Sequence, residues 1–253
     1  MELIPKLLND KNIILTGCNR GIGEKTLEQL AKNGANVWAC TRKISQEDIT
    51  KYDTLENSFH IKIWPITLDL SNSESINEAI KEIRKFKLPI DGLINNAGIT
   101  YNALFQMSSI SMIKEVFEIN LFSQILFTQF VLKLMLRNNS GSIVNISSTA
   151  GIDANLGRSI YGASKAAMIC ITKAIAREVG EKGIRINSIA PGITQTDMIK
   201  SMSNEIIEET RQLTQLKRLG EPIDIANVCV FLLSELSSYL TGQVIRVDGG
   251  LKI

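Results

Sequence analysis

The sequence has little histidine and no clustered cysteine, and both absences exclude kinds of chemistry. His60 is the only histidine among 253 residues, which argues against zinc-dependent hydrolysis and against a Ser-His-Asp triad. We expect no metal site and interpret His60 as a surface or strand-edge residue. The four cysteines, Cys18, Cys40, Cys170 and Cys229, are far apart and form no C-x-x-C pair. We therefore expect buried free thiols in a reducing cytoplasmic compartment.

Charge of one sign and long apolar runs are also missing. The formal net charge is +2 and the basic residues are scattered, so nothing predicts a nucleic-acid partner. Residues 1–11 contain no long apolar core, so we expect neither a signal peptide nor a membrane span there. With 44% hydrophobic and 21% charged residues, the composition is that of an ordinary globular protein. No linker or repeat divides the chain, and we predict one domain over residues 1–253.

Short apolar runs alternate with longer segments of helical periodicity along most of the chain. Several runs are nearly continuous in apolar or β-branched residues, as expected for strands buried on both faces. This alternation predicts an α/β fold of the Rossmann type, with a doubly wound parallel sheet of about seven strands and helices on both faces. The predicted strands are Asn12–Thr16, Asn36–Cys40, Lys62–Thr67, Gly92–Asn95, Ser142–Ser147, Arg185–Ala190 and Val244–Val247, and the predicted helices include Gly23–Asn33, Ser73–Lys85, Ile110–Arg137, Tyr161–Lys182 and Ile223–Leu233.

A glycine-rich turn joins the first predicted strand to the first predicted helix. Between Thr16 and Gly23 it has the spacing G-x-x-x-G-x-G, rather than the G-x-G-x-x-G of many dinucleotide sites. Glycines let backbone N–H groups approach a pyrophosphate, and the helix N-terminus adds a positive dipole. Such a turn can be only a turn, but the strand before it and the helix and strand after it favour a phosphate-binding loop.

The end of the second predicted strand bears on the choice between NAD and NADP. An acidic residue there would bind the ribose 2′-hydroxyl, whereas a basic residue favours a 2′-phosphate. The chain reads Cys40-Thr41-Arg42-Lys43, and Arg20 in the glycine-rich turn offers a further cation. We therefore predict NADP(H), since arginine suits bidentate phosphate contacts. The alternative is that Arg42 and Lys43 are solvated loop charges.

Tyr161 and Lys165 open a predicted helix one turn apart, so they share a face. A phenol with a pKa near 10 is a poor proton shuttle at neutral pH unless its anion is stabilised. An ammonium group four residues away would supply that stabilisation. The spacing alone is common by chance. This pair, however, follows a strand ending at Ser147 and Ser148, and parallel sheets place ligands at the carboxyl ends of their strands.

Several further motifs surround this pair in a fixed order. They are T-G-x-x-x-G-I-G from Thr16, Asp69 after the third strand, Asn95-Asn96-Ala97-Gly98, Asn120, Ser148 thirteen residues before Tyr161, and Pro191-Gly192-x-x-x-Thr196. In this order and spacing the chain resembles the short-chain dehydrogenase/reductase family over nearly its whole length. The resemblance implies a nicotinamide-dependent oxidoreductase that interconverts a carbonyl and an alcohol.

The resemblance also implies roles for individual residues. Tyr161 would exchange a proton with the reacting oxygen, and Lys165 would hold the nicotinamide ribose and lower the tyrosine pKa. Ser148 would orient the substrate oxygen, and Asn120 would anchor a water in a proton relay. Asn120 could instead be a helix-interior amide bonded to backbone. The residues implied to contact the cofactor are Gly17, Asn19, Arg20, Gly21, Ile22, Gly23, Thr41, Arg42, Asp69, Leu70, Asn96, Ala97, Gly98, Tyr161, Lys165, Pro191, Gly192, Ile193 and Thr196.

Two alternatives concern neighbours of these residues. Ser147 could be mistaken for Ser148, but the spacing to Tyr161 favours Ser148 as the catalytic serine. Asn95 is better explained as a structural link between neighbouring strands than as a cofactor contact.

Within the family, the chain is most similar to bacterial reductases of 3-oxoacyl groups on acyl carrier protein. The similar segments are Ala190–Ile193, Leu216–Pro222 and Thr241–Gly250. This resemblance implies a fatty acid synthesis type of reaction and a homotetramer built on the helices Ile110–Arg137 and Tyr161–Lys182.

Departures from that pattern leave the substrate open. An asparagine in Arg137-Asn138-Asn139 replaces a cation that would meet the acidic carrier, although Lys182 is kept, so steering is weakened. Thr214-Gln215 stands where an Ile-Pro pair is usual, which predicts a more polar and less rigid lid. A free small ketone, sugar or polyol is therefore the alternative substrate, and a non-catalytic nucleotide-binding protein is a remote one.

Overall fold

Seven strands form one parallel sheet in the computed structural model, which describes residues 6–199 and 204–252. The prediction of a doubly wound α/β fold is confirmed. Five of the seven strands are buried at every residue or at all but one, which is why they are nearly continuous apolar runs in the sequence. They are β1 (Asn12–Thr16), β2 (Asn36–Thr41), β3 (Ile63–Thr67), β4 (Gly92–Asn95), β5 (Gly141–Ile146), β6 (Ile184–Pro191) and β7 (Val244–Val247).

The strand order β3-β2-β1-β4-β5-β6-β7 determines where a ligand can bind. From β1 the chain proceeds outward to β2 and β3, then crosses back to β4 on the other side of β1. The loops after β1 and β4 therefore diverge, leaving a crevice at the carboxyl ends of these strands.

Helices cover both faces of the sheet. Those of one face pack around Leu27, Leu30 and Leu232, and those of the other pack around Ile76, Phe127 and Val131. The first face carries α1 (Gly21–Lys32), α2 (Gln46–Phe59) and α9 (Pro222–Leu233), and the second carries α3 (Ser73–Lys85), α5 (Ser123–Asn138) and α7 (Ser159–Val179); the remaining helices are α4 (Ile110–Phe117), α6 (Ala150–Asp153) and α8 (Asn204–Leu213).

The predicted helix Ile110–Arg137 is continuous, but it is not regular. A π-helical turn at Glu118–Phe122 separates α4 from α5. A π-turn accommodates an extra residue, and such turns are frequent at functional sites. Asn120 lies in this turn.

The segment Ile110–Asn138 is long and apolar enough to cross a membrane by length and composition, but core helices of soluble proteins also meet these criteria. Phe127, Val131 and Met135 of its C-terminal half are buried in the core beneath it.

The residues scarce in the sequence have mostly the positions expected of them. His60 is exposed and ends α2 in the left-handed conformation, with φ 57°. All four cysteines are free, and Cys18, Cys40 and Cys229 are buried. Cys170 is exposed on α7, so the expectation of burial was wrong for this residue, because it lies on the outer side of that helix.

Candidate active site

The glycine-rich turn folds into a backbone cradle between β1 and α1. Gly17 and Gly21 have φ of +69° and +55°, which side chains rarely tolerate. A Cβ on Gly23 would lie 1.9 Å from the Gly17 carbonyl oxygen, and one on Gly17 would lie 2.9 Å from Ala97 Cα. The turn therefore requires glycine, and it leads directly into the N-terminus of α1, whose dipole favours an anion.

The loop after β4 holds this cradle in place. The Asn96 side chain donates to the carbonyl oxygens of Thr16 and Gly17, each at 2.9 Å. In return the Thr16 hydroxyl accepts from the amides of Asn96 and Ala97, each at 3.0 Å. The asparagine predicted to line the cofactor thus also fixes the phosphate-binding turn.

The ends of β2 and β3 form the side of the crevice at which the adenosine is predicted to bind. The Asp69 carboxylate accepts from the amide and the hydroxyl of Ser71, at 2.9 and 2.7 Å. Burial acts to raise the pKa of Asp69, but these bonds and the charge of Arg42 outweigh it and lower the pKa. Asn19 and Lys43 line a cavity of about 330 Å³ between the glycine turn and α2.

Arg20, predicted to face the cofactor, is largely exposed. Its guanidinium lies 4.0 Å from the Asp197 carboxylate, within the segment that follows β6. Thr196 of the same segment is next to the cradle, because a Cβ on Gly21 would be 3.1 Å from its methyl group. Thr196 therefore lies beside the glycine turn, and contact of the Pro191–Thr196 segment with the nicotinamide end stays a prediction.

Tyr161, Lys165 and Ser148 are brought together in the buried part of the crevice. Tyr161 and Lys165 lie on α7, and Ser148 follows β5; all three are buried. The Lys165 ammonium lies 5.9 Å from the centroid of the Tyr161 ring and donates to the Ile146 carbonyl oxygen at 2.8 Å. The neighbouring Ser147 instead donates to the Ile189 carbonyl oxygen at 2.7 Å, which supports Ser148 as the serine that faces Tyr161.

Burial dominates the proton affinities of this cluster. It raises the pKa of Tyr161, against the opposing effects of the Arg158 charge and a hydrogen bond with Ser148. It also lowers the pKa of Lys165 to about 8, since the ammonium is removed from water. The net shift of Tyr161 is therefore opposite to the expected one, and Lys165 does not overcome the cost of burial.

Asn120 is fully buried, and its side chain bonds to backbone. Its amide accepts from the Ile99 amide at 2.8 Å and donates to the Ile99 carbonyl oxygen at 2.9 Å. It also donates to the Ser164 hydroxyl at 3.2 Å. The side chain thus ties the loop after β4 to α7, which is the backbone-bonded arrangement weighed above as the alternative, while a role in a proton relay stays a prediction.

Asn95 has the structural role predicted for it. Its amide donates to Thr128 Oγ1 of α5 and Asn145 Oδ1 of β5, both at 2.8 Å. Asn145 in turn donates to Thr172 Oγ1 of α7 at 2.8 Å. This buried network aligns the two helices and two strands that carry the catalytic cluster.

Sequence reasoning missed three residues that support or border the site. Gln124 donates to the Ala97 carbonyl oxygen at 2.6 Å, and Ser123 donates to the Leu70 carbonyl oxygen at 2.6 Å. Buried polar residues in an otherwise apolar helix were a signal that could have found them. The third is Arg158, whose guanidinium carbon lies 5.1 Å from the centroid of the Tyr161 ring.

No side-chain cluster in the described ranges offers a group of three or more metal-ligating residues. The site instead combines a backbone anion cradle, a buried phenol and an ammonium. This combination fits a dinucleotide, since the glycine cradle would face its pyrophosphate and the hydroxyl cluster would face a reacting oxygen. Fold and site together define an oxidoreductase of the nicotinamide-dependent class.

Comparison with known proteins agrees with this class. A family model described as enoyl-(acyl carrier protein) reductase matches residues 17–252. The 3-oxoacyl-(acyl-carrier-protein) reductase of Aquifex aeolicus (strain VF5) is 38% identical over 96% of this chain and 98% of its own length. The enzyme of that name from Chlamydia trachomatis is 37% identical over 97% of this chain and 98% of its own length.

Solved structures give the same result. A 3-oxoacyl-(acyl-carrier protein) reductase from Brucella melitensis superposes with a TM-score of 0.90 at 29% identity, covering 100% of this chain and 98% of that one. A protein from Beutenbergia cavernae, described as an NAD(P)-dependent gluconate 5-dehydrogenase with NADP bound at low occupancy, has the same TM-score and identity over 97% and 98% of the two chains. The chain belongs to the short-chain dehydrogenase/reductase family of nicotinamide-dependent oxidoreductases.

Proposed function

We propose that this protein reduces the 3-oxo group of an acyl chain carried on acyl carrier protein to a secondary alcohol, using NADPH. The observation that carries the proposal is the convergence of Ser148, Tyr161 and Lys165 in one buried cluster beside a glycine cradle. Curated relatives at 35–38% identity over nearly the full chain bear the name of this reaction. The single domain over residues 1–253 and a cytoplasmic location belong to the same proposal.

The chemical step needs a proton donor at the substrate oxygen. When bound, the reduced nicotinamide supplies the hydride. Ser148 donates a hydrogen bond that orients the substrate carbonyl, and Tyr161 gives its proton to the oxygen as negative charge develops there. Because burial raises the pKa of Tyr161, the phenol stays protonated at neutral pH and is ready to act as an acid.

Lys165 supports this proton transfer. Its ammonium lies near the phenol and offsets the charge left on the tyrosine oxygen after transfer. With a pKa of about 8, it remains largely charged at neutral pH and loses charge above that value. Holding the nicotinamide ribose is its second proposed role, and a proton relay through Asn120 would restore the phenol.

NADP(H) is the proposed cofactor because residues 41–45, at the end of β2 and directly after it, include no carboxylate. Thr41, Arg42 and Lys43 occupy the positions where a ribose 2′-hydroxyl would otherwise meet an acid. The positive charge of Arg42 acts on Asp69 and so lies at the adenosine side of the crevice. Arginine is suited to a 2′-phosphate by its fork of donors.

The basic residues proposed to meet an acyl carrier protein lie far from the chemistry. Arg137 precedes β5 and Lys182 precedes β6, at the amino ends of strands whose carboxyl ends hold the site. At about 1.5 Å per helical residue, Lys182 is about 30 Å from Tyr161 along α7. A carrier docked there would have to span that distance to reach the site of the same subunit, and the homotetramer that the family resemblance implies is part of the same proposal.

A free small substrate is the second candidate. The solved structure described as a gluconate 5-dehydrogenase superposes as well as the acyl-carrier reductase does. The lid sequence Thr214-Gln215 departs from the usual reductase pattern. Thr214 is nevertheless buried, and its hydroxyl donates to the Arg211 carbonyl oxygen at 2.8 Å. Gln215 is exposed, and the less rigid lid stays a prediction.

The test measures NADPH oxidation with acetoacetyl thioesters on carrier protein and on coenzyme A. The wild type is expected to turn over both, and Tyr161→Phe should lose activity by at least about 100-fold because the proton donor is gone. NADPH binding, followed by fluorescence, should be retained in the variant.

Two controls separate the alternatives. Crotonyl thioester tests the carbon–carbon double-bond reduction named by the family model, and a panel of free ketones and keto sugars tests the second candidate. If wild type and Tyr161→Phe are equally silent on every substrate while both bind NADPH, the enzymatic proposal fails and a non-catalytic binding protein remains.

A further inference from the structure

Arg158 places a positive charge beside the catalytic phenol. It immediately precedes α7 and is partly buried, with its guanidinium carbon 5.1 Å from the Tyr161 ring centroid. The mechanism above gives it no task. A half-buried arginine this close to reacting groups calls for a partner, since desolvating a guanidinium without one is costly.

The side chain is held in place by neutral groups. Its Nε donates to Asn102 Oδ1 at 3.1 Å, and one terminal nitrogen donates to Thr100 Oγ1 at 3.4 Å. The backbone beside it is also tied, because the Ala103 amide donates to the Gly157 carbonyl oxygen at 2.9 Å. Arg158 is therefore fixed between the loop after β4 and the start of α7.

The bonds to Asn102 and Thr100 leave N–H groups of the Arg158 guanidinium unused. A guanidinium has five N–H groups, and the two bonds to Asn102 and Thr100 use two of them. Across the part of the chain that the structure describes, no carboxylate forms an ion pair with Arg158. The Nη1 nitrogen thus has both N–H groups available to an acceptor from outside the chain.

We propose that Arg158 is a specificity-determining residue that binds the oxygen on carbon 1 of the substrate, while Tyr161 and Ser148 bind the reacting oxygen on carbon 3. The inference rests on the proposed function, whose substrate is a 3-oxoacyl group. Such a group carries two oxygens on carbons separated by a single carbon. Donors on adjacent side chains can therefore hold both at once and fix which face of carbon 3 is presented.

Binding of both substrate oxygens, one by Arg158 and one by Tyr161 with Ser148, predicts selectivity between substrates. A ketone without an oxygen on carbon 1 gives Arg158 nothing to bind, so a buried donor would be left unpaired in its complex. The effect of the Arg158 charge on the phenol acts on every substrate alike. A difference between substrates therefore isolates the contact with carbon 1 from any effect through Tyr161.

The experiment compares acetoacetyl-CoA, acetoacetate and butan-2-one as substrates of wild type, Arg158→Leu and Arg158→Lys. Acetoacetate and butan-2-one share a four-carbon chain and differ in the oxygens on carbon 1. In Arg158→Leu, kcat/KM should fall about 10- to 100-fold on the first two, as expected for loss of a charged hydrogen bond, and less than about threefold on butan-2-one. Arg158→Lys should lie between, because it keeps the charge and loses the fork.

The matched control is Arg84→Leu, which removes an exposed arginine from α3 and should leave all three rates unchanged. Equal losses on all three substrates in Arg158→Leu would mean that Arg158 acts only through Tyr161 or the fold, and would overturn the proposal. The absence of any loss of activity in Arg158→Leu would also overturn the proposal.

A binding measurement tests the same contact without depending on turnover. The Kd of 3-hydroxybutyryl-CoA for the NADPH-loaded enzyme, a dead-end complex without a hydride acceptor, should rise at least about tenfold in Arg158→Leu when measured by calorimetry, and an unchanged Kd contradicts the contact. Failure of the proposed function is visible separately, as a wild type that does not reduce acetoacetyl thioesters. The acetoacetate to butan-2-one ratio then still tests Arg158.

Discussion

At the scale of single residues, burial controls the site more strongly than charge pairing does. Lys165 is fully surrounded by protein and bonded to the Ile146 carbonyl oxygen, with no carboxylate bonded to it among the described residues. Folding therefore depresses its pKa from 10.5 to about 8. Between these values the unfolded chain binds more protons than the folded one, so this residue makes stability rise with pH.

Lys165→Met should accordingly abolish activity while stabilising the fold at neutral pH. Removing a buried charge gains more than the lost hydrogen bond costs, and we expect the free energy of unfolding to rise by about 1–2 kcal/mol at pH 7. The gain should shrink as pH rises above about 8, because wild-type Lys165 then becomes neutral. Urea unfolding of both proteins at pH 7 and pH 9.5 checks this, and a gain that is constant with pH would contradict it.

Arg42 permits a test of cofactor choice. Replacing Arg42 by Asp puts a carboxylate where a 2′-phosphate is proposed to bind and should reverse the preference from NADPH to NADH, by about tenfold or more in kcat/KM for each cofactor. Lys85→Asp, at the end of α3, serves as a charge-matched control and should leave the preference unchanged. A wild type that already prefers NADH would show that this interpretation of Thr41 and Arg42 is wrong.

At the scale of elements, the turn between β1 and α1 depends on tertiary contacts, which helix propensities do not take into account. Gly23 lies inside α1, where alanine is ordinarily the better helix former. Its α-hydrogens face the Gly17 carbonyl oxygen and the Asn96 amide, so a methyl group has no space.

Gly23→Ala should therefore push the cradle open. We expect a loss of about 1–3 kcal/mol in stability from the forced overlap and at least a 100-fold weaker Kd for the dinucleotide. Gly180→Ala is the matched control: it has helical dihedral angles and no atom within 4 Å of the added Cβ, so stability should stay equal or rise slightly. Thermal unfolding and dinucleotide titration distinguish the two variants, and equal behaviour would refute the packing argument.

At the scale of the whole molecule, the sheet separates chemistry from the proposed carrier surface. The crevice lies at the carboxyl ends of β1, β4 and β5, whereas the cations before β5 and β6 lie at the opposite end. An acidic carrier attracted to those cations would gain association rate rather than chemical rate.

Lys182→Glu should then raise KM for acetoacetyl-(acyl carrier protein) about three- to tenfold at low salt and leave kcat and the KM for acetoacetyl-CoA unchanged. Raising the ionic strength should erase the difference, since exposed charges are screened within about 10 Å at 0.1 M. Lys81→Glu on α3 provides the same charge reversal elsewhere on the surface. Equal effects on both thioesters would show that Lys182 does not serve carrier binding.

From the sequence alone, the alternation of apolar runs and amphipathic segments determines the parallel sheet, because strands buried on both faces must be apolar throughout. Motif order likewise identifies the glycine cradle, Ser148, Tyr161 and Lys165, since local spacing puts each one at a strand end or on one helix face. Only the tertiary structure decided the direction of the Tyr161 pKa shift, the bonding of Asn120 to Ile99, and the position of Arg158 beside the phenol. Those depend on desolvation and on contacts between distant segments, which the packed fold creates.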